Sequence, residues 1–260
     1  MRKTRKFRGG AIQKMLVDRF MQAGYMSIES PSADRVAIGR DNYTLDREIS
    51  TDRSKVYVKL GANGRPEKVY VVHRGTDSKA DSFNNLAIPF REWYKSLPRY
   101  IEAAGVQRNA NTKYTGIPVH TISHSQGGYL VSCLMYDHLA RGLNITMNPA
   151  ILTRPTVGRM FIIRSEDDPI SVFVQTPNMT LPSARRSWSL FGRRIPSVRE
   201  MKEAHSASFL GRQRDFAIGE PGDPVPDFEP QPRLWRTPTL RVSPIRSAPR
   251  EPEHRSMSRP

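Results

Sequence analysis

Apolar residues recur at helical spacing from Ala11 to Gly24, with Ile12, Leu16 and Phe20 on one face and Lys14 and Asp18 elsewhere. Gly24 provides the stop. Residues 25–53 are polar and carry little periodic signal, so the pattern predicts a loop. Lys55 to Leu60 alternates, Gly61 to Arg65 reads as a turn, and Lys68 to His73 is a second strand, giving a hairpin. Ala87 to Ala104 reads as a helix carrying Trp93, Tyr94, Tyr100 and Ile101, interrupted at Pro98. Ile117 and Val119 lead into Thr121–Gly128, followed by a helical run from Tyr129 to Ala140. Arg159 to Ile163 has the continuous apolar character of a strand buried on both faces, and Ile170 to Val174 is a further apolar segment. Strand, helix and strand in that order predict an α/β fold with a mostly parallel sheet flanked by helices.

The junction between the 117–119 run and the next helix carries the candidate chemistry. In Ser123-His124-Ser125-Gln126-Gly127-Gly128, a serine sits where a strand turns sharply into a helix. That turn strains the Ser125 backbone and requires small residues two places before and after it, here Ser123 and Gly127. The helix N-terminus then aims N–H groups and a positive partial charge at a developing oxyanion. Ser123 departs from the glycine usual at the first position of such a turn, but is small enough to occupy it.

A serine nucleophile needs a base, and the base an orienting acid. On hydrolase folds of this kind the acid and then the histidine follow the serine in the chain. Of six histidines, His73, His120 and His124 precede Ser125, His138 lies on the following helix, and His254 sits in a Pro/Arg-rich tail. His205 remains. The acid is expected at the carboxyl end of the 159–163 strand, in Glu166-Asp167-Asp168-Pro169. Asp168 is preferred because Pro169 stiffens the next turn, with Asp167 as the alternative.

These residues resemble the class 3, fungal-type lipases of the α/β-hydrolase superfamily. Tyr70-Val71-Val72-His73-Arg74-Gly75-Thr76-Asp77 is similar to that family's strand ending in Phe-Arg-Gly-Ser/Thr. Asp81–Leu86 is loosely similar to its following segment, His124–Gly128 to its His-Ser-Leu-Gly-Gly turn, and Asp168-Pro169-Ile170 to its Asp-Pro-Val. The likeness covers about residues 54–210. His73 stands where phenylalanine is usual, Ser82 where tryptophan is usual, and no His-x-Gly-Phe segment precedes the turn. The resemblance implies an α/β-hydrolase-like fold, with Ser125 as nucleophile, Asp168 as acid and His205 as base. It further implies an oxyanion hole from Thr76 and the N–H of Gln126, a lipid or other ester substrate, and no metal or organic cofactor. Residues 77–90 occupy the family's lid position, with Phe83, Leu86 and Phe90 as the apolar side chains a lid would present.

Composition adds limits. At 260 residues the chain can bury one α/β core, and its 37% hydrophobic content suits a core diluted by polar ends. The expected organisation is a basic disordered tail at 1–10, a globular domain at 11–213 and a Pro/Arg-rich disordered tail at 214–260. Cys133 is the single cysteine, which excludes an intramolecular disulfide. No run approaches the length of a membrane span, and Lys14, Asp18 and Arg19 interrupt the apolar stretch a secretory signal needs. The formal net charge of +16 admits nucleic acid as a partner through the basic tails. Between the acid and the histidine, Arg185, Arg186, Trp188 and Phe191 mix guanidinium groups with rings, a composition suited to an anionic membrane surface.

Overall fold

A computed structural model describes residues 12–77, 87–151, 157–165, 168, 170, 177–181, 203–206 and 217–218. Eight strands form one mixed sheet in the order β2-β3-β4-β5-β6-β7-β8-β9. They are β2 (Arg35–Ile38), β3 (Asp41–Leu45), β4 (Ser54–Leu60), β5 (Pro66–His73), β6 (Val119–His124), β7 (Leu143–Met147), β8 (Arg159–Ser165) and β9 (Met179–Leu181). Pairing is antiparallel from β2 to β5 and parallel from β5 to β9. This is an α/β sheet, parallel over its β5–β9 side and flanked by helices. A separate two-residue ladder joins β1 (Ile12–Gln13) to β10 (Ala217–Ile218).

Both faces of the sheet are covered, which explains why its strands read as apolar runs. Helix α1 (Lys14–Tyr25) covers one face: Leu16, Val17, Phe20 and Met21 pack on Tyr57, Tyr70, Val72, Ile122, Ile145 and Phe161. The Phe20 ring centroid lies 5.0 Å from those of both Tyr43 and Tyr70. Helices α2 (Arg91–Ser96), α3 (Pro98–Lys113) and α4 (Gln126–Tyr136) accompany the opposite face, where Val56, Val58, Val69, Val71 and Ile162 are buried. Period-two alternation sends neighbouring residues of β4, β5 and β8 to opposite layers.

Several boundaries differ from the sequence expectations. Ile12 and Gln13 are extended rather than helical, because they pair with Ala217 and Ile218. Asp18 was expected away from the core face. It is buried, with the Gln22 amide donating to its carboxylate at 3.1 Å. Residues 25–53 are not a plain loop: β2 and β3 form a hairpin that buries Val36, Ile38, Tyr43 and Leu45. The helix expected over 87–104 begins at Arg91, breaks at Leu97 ahead of Pro98 and continues to Lys113. The helix expected from Tyr129 begins at Gln126 and ends at Tyr136, with His138 following in the left-handed region at φ 56°. The basic tail 1–10, most of 214–260, the 170–174 segment apart from Ile170, and Arg185, Arg186, Trp188 and Phe191 lie outside the described residues. Phe83, Leu86 and Asp167 do too.

Candidate active site

Ser125 sits between β6 and α4 with φ 53° and ψ −123°, a conformation costly for any residue with a Cβ. Backbone bonds hold it there. Its N–H donates to the Met147 carbonyl at 3.1 Å, and its own carbonyl accepts from Gly128 at 2.9 Å and Ala150 at 3.0 Å. The two glycines that follow are fixed by crowding. A Cβ at Gly127 would lie 2.4 Å from the His73 carbonyl oxygen, and one at Gly128 2.4 Å from Thr146 Oγ1. Ser123 is tolerated two places earlier because its hydroxyl reaches the Ile145 carbonyl at 3.4 Å.

From this turn a continuous chain of side-chain hydrogen bonds extends. Ser125 Oγ lies 2.9 Å from His205 Nε2, and His205 Nδ1 lies 2.8 Å from Asp168 Oδ1. A carboxylate accepts only, so Nδ1 carries the proton and Nε2 is left to accept from the serine hydroxyl. Asp168 and Ser125 are buried, and the His205 side chain is about one-fifth exposed at 21%. Asp168 is held at the end of β8, where its N–H donates to Ser165 O at 3.2 Å and its carboxylate accepts from the Ile170 N–H at 3.2 Å.

The two oxyanion candidates come from separate segments of the chain. Gln126 is the buried first residue of α4, so its N–H lies in the first turn, where the helix itself supplies no acceptor. Thr76 is half-buried and follows Gly75, which presses directly on the turn. A Cβ on Gly75 would lie 2.8 Å from Ser125 Cβ and 2.9 Å from the His124 carbonyl oxygen. Phe90, by contrast, caps the start of α2 and is 62% exposed, with Trp93 beside it at a ring separation of 6.2 Å.

Sequence reasoning passed over four neighbours that build this arrangement. Asn148, buried at φ 46°, donates to the Ala204 carbonyl at 2.7 Å and to Ser165 Oγ at 3.0 Å, and accepts from the Ser165 N–H at 2.7 Å. Ser165 Oγ also donates to the Ala204 carbonyl at 2.7 Å. The segment carrying His205 is thereby tied to the strand end carrying Asp168. His124 and Tyr25 form a second tie, described below. Asn148 lies just past an alternating strand, Leu143-Asn144-Ile145-Thr146-Met147, whose period-two pattern was the available signal.

A second serine–histidine contact, Ser54 Oγ to His73 Nδ1 at 3.0 Å, is of another kind. Both residues are fully buried, and the adjacent charge is the Arg99 guanidinium, not a carboxylate. Burial, reinforced by Arg99, pushes His73 down to about 3. Arg99 also donates to the carbonyls of Arg53 at 3.2 Å and Arg74 at 3.0 Å. That set joins β4, the end of β5 and α3, and so braces the backbone leading to Gly75. Cys133 is buried and its thiol is raised to about 12 by desolvation, which leaves it unreactive.

Among the described residues, no group of three or more His, Cys, Asp or Glu side chains is placed to hold a metal ion. No described helix is long and apolar enough to cross a membrane. What the site contains is a hydroxyl, an imidazole with its tautomer set by a carboxylate, and helix N–H groups: the parts of nucleophilic acyl transfer.

No family model and no curated protein matches the chain. Among solved structures it is similar to an extracellular lipase of Serratia marcescens, at 17% identity and TM-score 0.38 over 60% of this chain and 28% of that one. It is similar to the Lip2 lipase of Yarrowia lipolytica at 11% identity and TM-score 0.37, over 65% of this chain and 77% of that one. A triacylglycerol lipase of Penicillium expansum aligns at 13% identity and TM-score 0.35, over 65% and 78%. The chain thus spans little more than a quarter of the Serratia lipase's length.

Proposed function

We propose that this protein is a serine carboxylic-ester hydrolase acting on lipids. Ser125 Oγ attacks the acyl carbonyl while His205 Nε2 takes its proton, and Asp168 holds the imidazole and stabilises the imidazolium that forms. The oxyanion is received by the Gln126 N–H with the Thr76 N–H and hydroxyl. The collapsing intermediate expels the alcohol, which leaves with the proton from His205. Water activated by the same imidazole then releases the acid. The observation supporting this reading is the unbroken hydrogen-bonded run from Ser125 through His205 to the buried Asp168, starting at a strained turn.

The lipid assignment draws on the four ordered motifs that resemble those of class 3 lipases and on the exposed Phe90–Trp93 pair, which begins at the last residue of the 77–90 segment. That segment is proposed as a lid over Ser125, with Phe83, Leu86 and Phe90 as its apolar face. Arg185, Arg186, Trp188 and Phe191 are proposed as an anionic-membrane contact, and residues 11–213 as the catalytic domain. A fluorophosphonate probe tests the central claim. Labelling of the wild-type protein that disappears in Ser125→Ala supports it, and a wild-type protein that does not label rejects it. A panel of ester, thioester and peptide substrates then separates lipid hydrolysis from the other chemistries this constellation serves.

A further inference from the structure

Tyr25, the last residue of α1, extends its hydroxyl into the site. It accepts from the Gly75 N–H at 2.9 Å and lies 2.7 Å from His124 Nδ1. The other nitrogen of that imidazole, Nε2, lies 2.6 Å from the backbone carbonyl oxygen of His205. These contacts determine every proton. A carbonyl only accepts, so Nε2 of His124 bears hydrogen. Nδ1 is then a lone pair, and Tyr25 donates its O–H to it. The polarity runs one way: Gly75 N–H to Tyr25, Tyr25 O–H to His124, His124 N–H to His205 C=O.

We infer that Tyr25 and His124 are a positioning pair that couples the segment carrying His205 to the Gly75–Thr76 segment, across the Ser125 turn they flank. The inference rests on the reading of Ser125 as the nucleophile. Geometry gives it two supports. First, the ends of the chain are the two backbones that must keep register for proton transfer and oxyanion binding to act on one acyl group. Second, His124 is covalently adjacent to Ser125, and its ring lies 5.0 Å from that of His205 and edge-on to Tyr25 at 5.8 Å. The pair is also chemically steady. Burial, with the neighbouring His205, holds His124 down at about 3, and burial raises the Tyr25 phenol to about 12. Neither group changes its proton count across the working range, so the chain keeps its direction.

In Tyr25→Phe, Gly75 loses its acceptor and His124 its donor. In His124→Leu, the His205 carbonyl loses its tie, whereas His124→Gln can still donate from its amide. Tyr25→Phe and His124→Leu should each slow phosphonate labelling of Ser125 and lower kcat on the order of 100-fold, with KM nearly unchanged. His124→Gln should recover part of the loss. Tyr57→Phe is the control: its buried hydroxyl donates to the Ala33 carbonyl at 3.0 Å in the same core, remote from the serine. It should lose comparable thermal stability and label at the wild-type rate. Equal labelling of Tyr25→Phe and wild type overturns the coupling while leaving Ser125 as nucleophile. If the wild type does not label, the nucleophile reading fails and nitrogen NMR decides the pair alone. An exchange-protected His124 Nε2–H that becomes labile in Tyr25→Phe supports it, and a labile one in the wild type overturns it.

Discussion

Replacing Gly127 with alanine isolates the close approach on which the serine turn depends. The added methyl would lie 2.4 Å from the His73 carbonyl oxygen and 2.9 Å from that of Arg74, where ordinary contact begins near 3.4 Å. Neither oxygen belongs to a side chain that can rotate away. His73 is paired on both sides in the sheet, opposite Ser54 and Ser123, and the Arg74 carbonyl is held by Arg99. The helix must therefore retreat by about an ångström, against packing that tolerates little. Overpacking of this kind costs about 1–3 kcal/mol, and the rigidity of both oxygens argues for the upper part of that range. Alanine also favours a helix over glycine by about 1 kcal/mol, which offsets some of it. Gly105 supplies the reference, since a Cβ there, in the middle of α3, meets nothing within 4 Å. Gly105→Ala should gain about 1 kcal/mol. The gap between the two variants then measures the clash with propensity removed, and should be about 3 kcal/mol. Urea denaturation with shared baselines is the assay, and phosphonate labelling of Ser125 should fall only in Gly127→Ala. Equal stability of the two variants would refute the claim that helix α4 sits as close to β5 as the turn requires.

Other predictions follow the same bonds. Asp168→Asn keeps the shape but presents an amide to His205 Nδ1, favouring the wrong tautomer; kcat should fall on the order of 10⁴-fold with KM nearly unchanged in steady-state ester hydrolysis. Asn148→Gly keeps the left-handed backbone and drops the amide ties, whereas Asn148→Ala loses both. The alanine variant should be the less stable by about 1 kcal/mol in thermal melts, and both should lose activity. His73 and His124 are held near 3 in the folded protein against an ordinary value of 6.5. Between those values the unfolded chain binds the extra protons, so stability is full above about pH 6.5 and falls as pH drops. Each contributes a slope of up to about 1.4 kcal/mol per pH unit. Urea midpoints from pH 7.5 to 4.5 should show this, and His73→Phe should make the acid limb shallower. Leu86→Asp in the proposed lid should depress turnover of emulsified ester more than of dissolved ester; an equal response removes the lid.

The parts legible in sequence were those where a local rule and a tertiary requirement agree. Alternation in Lys55–Leu60 and the apolar run within Lys68–His73 marked β4 and β5, the run being continuous because Val69 to His73 are buried on both faces of the sheet. The glycines after Ser125 were readable because the turn they permit has a fixed pattern, and the side chains of Ser125, His205 and Asp168 do lie in hydrogen-bonding contact. What was missed had weaker local marks. The β2–β3 hairpin, short and polar on its outer face, reads as a loop until Val36, Ile38, Tyr43 and Leu45 are seen to share a side. Ile12 and Gln13 fit the helical spacing of their neighbours and left the helix because a partner some 200 residues away offers a ladder. Asn148, His124 and Tyr25 act through hydrogen bonds to distant backbone atoms. A single sequence carries no periodicity that would announce such bonds.

The architecture accounts for why so many polar side chains are buried around one hydroxyl. The parallel strands β5, β6, β7 and β8 deliver Gly75, Ser125, Asn148 and Asp168 to the same sheet edge. Each arrives on a separate connection, and among the described residues single backbone bonds, such as Ala150 N–H to the Ser125 carbonyl, join one connection to the next. The sheet positions strand ends to within the tolerance of its packing, which is coarser than acyl transfer needs. Asn148 closes the gap between the segments of Asp168 and His205, Tyr25 with His124 between those of His205 and Gly75, and Arg99 between the β5 end and α3. Burial raises the cost of leaving any of these groups unpaired, so each bond is held against loop motion more firmly than an exposed one would be. The same burial makes the arrangement fragile to acid, because two of its histidines, His73 and His124, must stay neutral while the unfolded chain takes up protons. Precision at Ser125 and loss of stability below pH 6.5 are therefore expected to arise from one set of side chains, and a variant that flattens the acid limb at His124 should also loosen the serine.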